Sequence, residues 1–465
     1  MEVTRIRALR GPNLWSRYTA VEAVVACSAA EQDLHATSAF ERHLRELFPS
    51  VGAFYAPQPA TAVSMAHALA LTTLALQAKA GCPVTFCRTT ATPTPGIFQV
   101  AVQYTEEAVG RLAFEKAQQL CHAAAAGQTF DTAAVLAELR ELDDDERLGP
   151  STGAIVDAAL ARGIPYRRLT RGSLVRFGWG SRQRYIQAAE VDRTSAIAEE
   201  IAQDKDLTKK LLHAAGVPVP LGRPVTSLED AWSTALELGL PVVVKPQNSN
   251  QGKGVSVGIT TREQIAAAYP AAEAFGPVMV EKYLPGHDFR FLVVGDKLVA
   301  AARRDPPLVI GDGVKSVRAL VDEVNRDPRR GAGHENPLTR IRINAIAEAR
   351  LAAQGLTSDS VPAPGQCVIL RNNANLSTGG TATDVTDSVH PEVAARAIEA
   401  AQTVGLDICG VDVVCETVGK PLEDQNGGVV EVNAAPGLRM HISPSYGRGR
   451  DVGRAVIAHL FPEGE

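Results

Sequence analysis

The stretch VVVKPQNSNQGKGVSVG, from Val242 to Gly258, sets the tightest limit on how this chain folds. A β-branched run ends in Lys245, breaks into a polar loop, carries a second cation at Lys253 and resumes as another apolar strand. Glycines at 252 and 254 let such a loop close over a ligand and aim backbone N–H groups at anionic oxygens. Two cations and a compliant backbone at a strand end suit a phosphate. The pattern G-x-x-x-x-G-K-[ST] occurs nowhere, so this is not a P-loop. On these residues alone, a plain surface loop joining two strands of a hairpin fits equally well.

At 465 residues the chain exceeds one ordinary core and implies two or three domains. Its 45% hydrophobic and 21% charged residues are ordinary globular composition. A net charge of −5 gives no reason to expect nucleic acid or an anionic membrane as partner. No apolar run approaches the roughly 18 residues of a spanning helix, and the start MEVTRIRALRGPNLW lacks a signal-peptide core. Seven cysteines without a C-x-x-C pair read as scattered reduced thiols. The expected location is the cytoplasm.

The expected boundary lies in ELDDDERLGPSTG (Glu141 to Gly153), where a charge run meets Gly-Pro-Ser-Thr-Gly, giving domains 1–150 and 151–465. In the first, TAVSMAHALALTTLALQAKAG predicts a helix ending at Gly81, GIFQVAVQY a strand, and EEAVGRLAFEKAQQLCHAAAAG a second helix. In the second, DKDLTKKLLHAAGVPVP predicts a helix capped by Asp206, with Leu207 and Leu211 on one face and Gly216 at its end. FRFLVVGDKLVAAARR predicts a hairpin turning at Gly295-Asp296. Residues 305–376 read as a long insertion, and a helix at about 391–404 precedes a last strand pair. The class is α/β in the broad sense, covering α+β.

That last pair carries chemistry. Glu431 and Asn433 in VVEVN share a strand face, and Asp412 lies on the preceding strand. Two carboxylates and an amide oxygen make a hard site suited to Mg²⁺, with phosphate and water completing the shell. The bland alternative is the outward polar face of an amphipathic hairpin.

A phosphate loop, lysines and a downstream metal hairpin, in that order, resemble the ATP-grasp ligases over about 190–450. The resemblance implies that Lys205 and Lys245 bind ATP phosphates, and that Ser249, Gly252, Lys253 and Gly254 belong to a covering loop at about 245–258. It implies that Glu281, Lys282, Tyr283 and Leu284 meet adenine, with Asp288 near the ribose. Asp412, Glu431 and Asn433 would hold Mg²⁺, and Arg304 and Arg439 would stabilise transferring phosphate or a substrate carboxylate.

Five further segments, LRGPNLWSR, QRYIQAAEVDRTSAIAEEIAQDKDLTKKLL, RDPRRGAGHENPLT, LRNNANLSTGGTATDVTD and EVNAAPGLRMHISPS, are similar to cyanophycin synthetase, and together span nearly the whole chain. That family builds a poly-aspartate backbone bearing arginine, and its ATP-grasp domain adds aspartate to the polymer's C-terminal carboxylate. The resemblance therefore implies an ATP- and Mg²⁺-dependent carboxylate–amine ligase acting through an acylphosphate on an amino acid and an acidic primer. It makes Ser181, Arg184, Ser195, Arg290, Asn375 and Ser377 substrate-binding candidates. The alternatives are a ligase for another amino acid or small molecule, and a non-catalytic partner of a full-length synthetase.

Two departures shape the expectation. The family continues into a third domain that attaches arginine, and this chain ends at AVIAHLFPEGE, so no arginine addition is expected from it alone. A homo-oligomer is expected, with a separate chain carrying the third domain as a further candidate partner. Some members also carry H-x-x-E-H in the first domain, whereas here His67 stands with Ala70, Leu71 and Ala75. No hydrolase is expected there. The domain is expected to dock an acidic polymer, with Arg10, Arg17 and Arg88 as candidates.

Overall fold

The structure is a computed structural model describing residues 1–34, 38–51, 63–247, 254–331 and 338–462. It divides into two compact units. One comprises Met1–Leu148, Pro165–Gly172 and Phe177–Trp179, and the other comprises Gly149–Ile164, Ser173–Arg176 and Gly180–Glu465. The fold is mixed α/β, with antiparallel pairing in its main sheets as the α+β variant requires.

The first unit is built on a four-stranded sheet ordered Glu2–Leu9, Ala20–Ala26, Ile97–Gln103, Cys87–Ala91. Helices Met65–Ala80 and Glu107–Ala126 supply Leu69, Leu76, Phe114 and Leu120 to the core beneath it. The predicted helix end at Gly81 is present, the chain turning there through φ 118°. The charged stretch around residue 141 is helical. Asp143 and its neighbours close helix Thr132–Glu146, and Pro150 opens the next helix, Pro150–Ala161, from its first turn. Proline is at home there because that position needs no N–H.

The second unit holds two larger sheets. The smaller is ordered Ser256–Ile259, Val242–Pro246, Val278–Lys282, Gly222–Val225, and helices Leu228–Leu238 and Arg262–Glu273 cover it through Ala235, Ile265 and Ala272. The larger is ordered Thr381–Asp384, Lys297–Asp305, His287–Val294, Ile408–Cys415, Gly428–Asn433. The predicted Gly295-Asp296 turn joins two of its strands. One face buries Phe289, Phe291, Val411 and Val413 against the predicted helix Pro391–Val404. The period of two then throws Asp288, Arg290, Arg304 and Asp412 onto the other face.

The insertion at 305–376 has a core of its own. Strands Leu308–Ile310 and Cys367–Ile369 pair, and helices Val317–Val324 and Ala345–Ala352 pack Val317, Leu320 and Leu351 against Val309 and Val368.

Candidate active site

The charged face of the larger sheet is fixed by register. Arg290 stands opposite Asp412 on one side and Ala302 on the other, Arg304 stands opposite Asp288, and Asp412 opposite Glu431. Arg290 pairs with Asp412, its Nη2 donating to Oδ2 at 3.1 Å. Arg304 Nη2 reaches Asp412 Oδ2 at 3.0 Å and Asp288 Oδ1 at 2.6 Å. Arg290 lies flat against Gly410, where a Cβ would come within 3.0 Å of its Nη1. Burial opposes the charge on Asp412, but the two guanidiniums outweigh it and hold the carboxyl below its usual range. This face lines a cavity of about 890 Å³ together with Asn375, Ser377, Glu431, Asn433 and Arg439.

A second charged cluster sits beside it. Helix Lys205–Ala214 is capped by Asp204, whose Oδ1 accepts from the N–H groups of Asp206 and Leu207 at 3.0 and 3.1 Å. Asp206 is therefore not the cap. The helix buries Lys205, Thr208, Lys209 and Leu212, an i, i+3, i+4, i+7 stripe, and leaves Leu207 exposed. Lys205 Nζ approaches Glu431 Oε1 at 3.4 Å. Lys209 pairs with the buried Glu281, and Lys245 Nζ meets the other oxygen of that carboxylate at 2.8 Å. Burial pulls the Lys245 ammonium down to about 8, and burial together with neighbouring Lys245 holds Lys209 well below the usual lysine range.

The other candidates divide by position. Lys282 donates through Nζ to Gly239 O at 2.6 Å, and the Tyr283 N–H donates to Pro241 O at 3.2 Å, so both tie the end of strand Val278–Lys282 to the turn that leads into Val242–Pro246. Leu284 is half-buried. Gly254 has φ +70°, and a Cβ there would meet Ala271 O and Phe275 at 2.9 Å, so packing alone demands glycine. Ser249, Gly252 and Lys253 lie outside the described residues. The Ser195 hydroxyl caps helix Ala196–Gln203, accepting from the Ala198 N–H at 3.1 Å. Ser181 and Arg184 do not line the 890 Å³ cavity; Arg184 Nη1 donates to Gln183 O at 3.0 Å.

Residues that sequence reasoning missed are Lys209, Ser151 and Glu199. Ser151 and Glu199 line the cavity, and the Ser151 hydroxyl accepts from the Leu438 N–H at 2.9 Å. The i, i+4 spacing of Lys205 and Lys209 was the available signal for the first. Nothing local marked the other two.

Among the described residues no three His, Cys, Asp or Glu side chains converge as a metal cluster. The donor set is two carboxylates facing across a strand pair plus the Asn433 amide, which donates through Nδ2 to Gly410 O at 3.2 Å. That set fits Mg²⁺, an ion held by one or two carboxylates with phosphate and water elsewhere.

In the first unit, Arg10 pairs with Glu107 at 2.6 Å beside a cavity of about 520 Å³ that also bears Arg111, Arg167, Arg168 and Arg171. Arg17 lies over the Tyr18 ring at 5.2 Å, and Arg88 is exposed on an edge strand. The His67 N–H donates to the Ser64 hydroxyl in the first turn of its helix. All seven cysteines are unbridged, and among the described residues no helix is long and apolar enough to cross a membrane.

Two antiparallel sheets, one bearing Lys245 and the other paired carboxylates and arginines, with Lys205 and Lys209 on a helix beside them, resemble the arrangement of an ATP-grasp ligase. Family profiles agree. Residues 203–302 match the phosphoribosylglycinamide synthetase ATP-grasp (A) domain, and residues 370–453 match the RimK-like ATP-grasp domain. Residues 29–126 match the cyanophycin synthase-like N-terminal domain. By these matches the chain is similar to the ATP-grasp ligases. More narrowly, it corresponds along its length to the N-terminal and ATP-grasp regions of cyanophycin synthetases. It is 40% identical to the cyanophycin synthetase of Nostoc sp. over 99% of this chain and 53% of that protein. It thus spans about half the length of the curated relatives it matches. The glutathione biosynthesis bifunctional protein of Clostridium perfringens is 33% identical over 68% of this chain and 41% of its own length. Among solved structures, a bifunctional glutathione synthetase from Pasteurella multocida superposes with a TM-score of 0.54. It is 34% identical and covers 75% of this chain and 49% of that one.

Proposed function

We propose that this chain is an ATP-dependent carboxylate–amine ligase that activates the C-terminal carboxylate of an acidic peptide as an acylphosphate and joins an amino acid to it. The amino acid we propose is aspartate, in synthesis of a cyanophycin-type or poly-aspartate chain. The observation that carries this reading is the single sheet face on which Arg290, Arg304, Asp412 and Glu431 line one cavity together with Arg439, the buried lysines lying beside it. Lys205 and Lys245 are the groups to hold the nucleotide phosphates. Arginine is the natural grip for a carboxylate, because its planar fork donates two parallel hydrogen bonds. Arg290, Arg304 and Arg439 therefore serve to hold the acceptor carboxylate and to offset charge as phosphate transfers. Asp412, Glu431 and Asn433 would hold Mg²⁺, which when bound supplies charge neutralisation between the phosphates. Preorganised cations in such a cleft are each worth on the order of 10²–10³ in rate. The five arginines around the first unit's cavity support a docking role for an acidic polymer.

The test is phosphate release from ATP and Mg²⁺ with a short poly-aspartate or cyanophycin-like primer and aspartate, arginine added or withheld, and products read by mass. Mass steps of one aspartyl residue are the expected result. Glu431→Gln abolishes turnover while the fold persists. Steps from a different amino acid, or near-normal turnover in that variant, would overturn the substrate or the site respectively.

A further inference from the structure

The segment NANLSTGGTATDVTD has two ends with different surroundings. Its front, Asn373 to Ser377, lines the active-site cavity. Its tail grips Arg450. The Arg450 Nε donates to both Asp384 oxygens at 3.1 Å and Nη2 reaches Asp384 Oδ2 at 2.5 Å. Nη1 and Nη2 also reach the two oxygens of Asp387 at 2.9 and 2.7 Å. Thr386 Oγ1 donates to Asp384 Oδ1 at 2.6 Å and so fixes that carboxylate. Asp387 is exposed, so its share is small. Asp384 is nearly buried and stands on the active-site face, opposite Ala302.

The clamp closes a loop in the chain that bears Arg439. The Arg450 N–H donates to His441 O at 2.8 Å, and His441 belongs to the one-turn helix Arg439–Ile442. Between them, the Ser445 N–H donates to Ala382 O at 2.8 Å, the Ala382 N–H donates to the Ser445 hydroxyl at 3.0 Å, and the Asp384 N–H donates to Tyr446 O at 3.0 Å. Residues 439–450 are thereby stitched to the edge strand Thr381–Asp384, whose Ala382 stands opposite Arg304.

We propose that Arg450 is a positioning residue: held by Asp384 and Asp387, it sets where Arg439 stands relative to Arg304 across the acceptor cavity. This rests on reading Arg439 as an acceptor- or phosphate-binding group. Lysine at 450 keeps the charge and loses the fork. Displacement of a positioning group by about 1 Å can cost on the order of 10²-fold. Arg450→Lys therefore raises the KM for the acidic acceptor peptide by about tenfold or more and leaves the KM for ATP unchanged. In an Arg439→Ala background it adds less than about twofold, because the two act as one unit. Asp387→Asn, a milder change at the surface, moves the acceptor KM in the same direction by a smaller factor. A loss of active fraction with both KM values unchanged, or a full additional factor in the Arg439→Ala background, would overturn the proposal. A second measurement does not depend on turnover. Amide exchange at 438–444 accelerates in Arg450→Lys while the helix Lys205–Ala214 stays protected, and unchanged exchange there sinks the clamp. If wild type turns over no acidic acceptor at all, the functional reading falls, and the exchange experiment still decides whether Arg450 holds this segment.

Discussion

Replacing Asp412 by asparagine isolates what one carboxylate does for two buried guanidiniums. Arg290 and Arg304 have side chains only 12% and 7% exposed. Arg304 keeps Asp288 at 2.6 Å after the substitution, whereas Arg290 loses the one carboxylate that pairs with it among the described residues. Breaking one side of a buried pair costs about 3–5 kcal/mol, since the stranded charge stays desolvated. With Arg304 still matched, the lower end, about 3 kcal/mol, is expected. At roughly 2–4 °C per kcal/mol for a large domain, the melting midpoint falls by about 6–12 °C. The assay is urea unfolding at pH 7 followed by circular dichroism, with a calorimetric melt alongside. Because Asp412 is held below the usual carboxylate range, its contribution is full above about pH 4 and is lost as pH falls further, through its folded value. The gap between wild type and variant therefore closes only in acid. Adding Arg290→Met to the asparagine variant recovers most of the loss, because an apolar replacement removes the stranded charge. An asparagine variant within about 0.5 kcal/mol of wild type, or a double variant weaker than the single one, would refute the reasoning.

Two other perturbations report on the remaining clusters. Lys209→Met removes the neighbour that holds the Lys245 ammonium up against burial, so the pH above which nucleotide affinity declines, expected near 8 in wild type from the depressed Lys245, moves downward; isothermal titration with ATP from pH 6 to 10 reads it. In the first unit, burial raises the Glu106 carboxyl to about 7 despite the Arg168 guanidinium at 2.9 Å. A raised acid binds its proton more tightly when folded, so wild-type stability falls as pH climbs from about 4.5 towards 7. Glu106→Gln abolishes that decline, and parallel pH profiles for the two proteins would count against it.

What could be read from the chain alone was what local chemistry determines. Helix Pro391–Val404, the Gly295-Asp296 hairpin and the strands of Asp412 and Glu431 all carry their signals within a few residues. Reading failed where function overrides pattern. In helix Lys205–Ala214 the pattern predicts a face of Leu207 and Leu211, yet the buried stripe includes Lys205 and Lys209. Amphipathic reasoning sends lysines to water, whereas the carboxylates of Glu281 and Glu431, on distant strands, meet them here. Likewise the expected boundary segment, Glu141 to Gly153, carries no local sign that its first part, to Glu146, completes a helix that buries Leu139. Ser195 shows a third limit: a hydroxyl before a helix serves the backbone just as well as a substrate. Arg290 meets Asp412 across 122 positions, which no local spacing conveys.

Near the two ends of the insertion at 305–376 a short antiparallel ladder sets Leu308 against Ile369 and Ile310 against Cys367. Facing residues in such a ladder lie about 5 Å apart, the span of a tight turn. Its core of Val309, Val317, Leu320, Leu351 and Val368 is separate from those of both larger sheets. The insertion is also tied to what surrounds it: Arg330 Nη1 donates to Gly379 O at 3.2 Å, Arg329 Nη1 to Ser445 O at 3.2 Å, and Arg439 Nη2 to Thr339 Oγ1 at 3.3 Å. A change in the insertion is therefore felt at Arg439 and along the segment 439–450 that carries it.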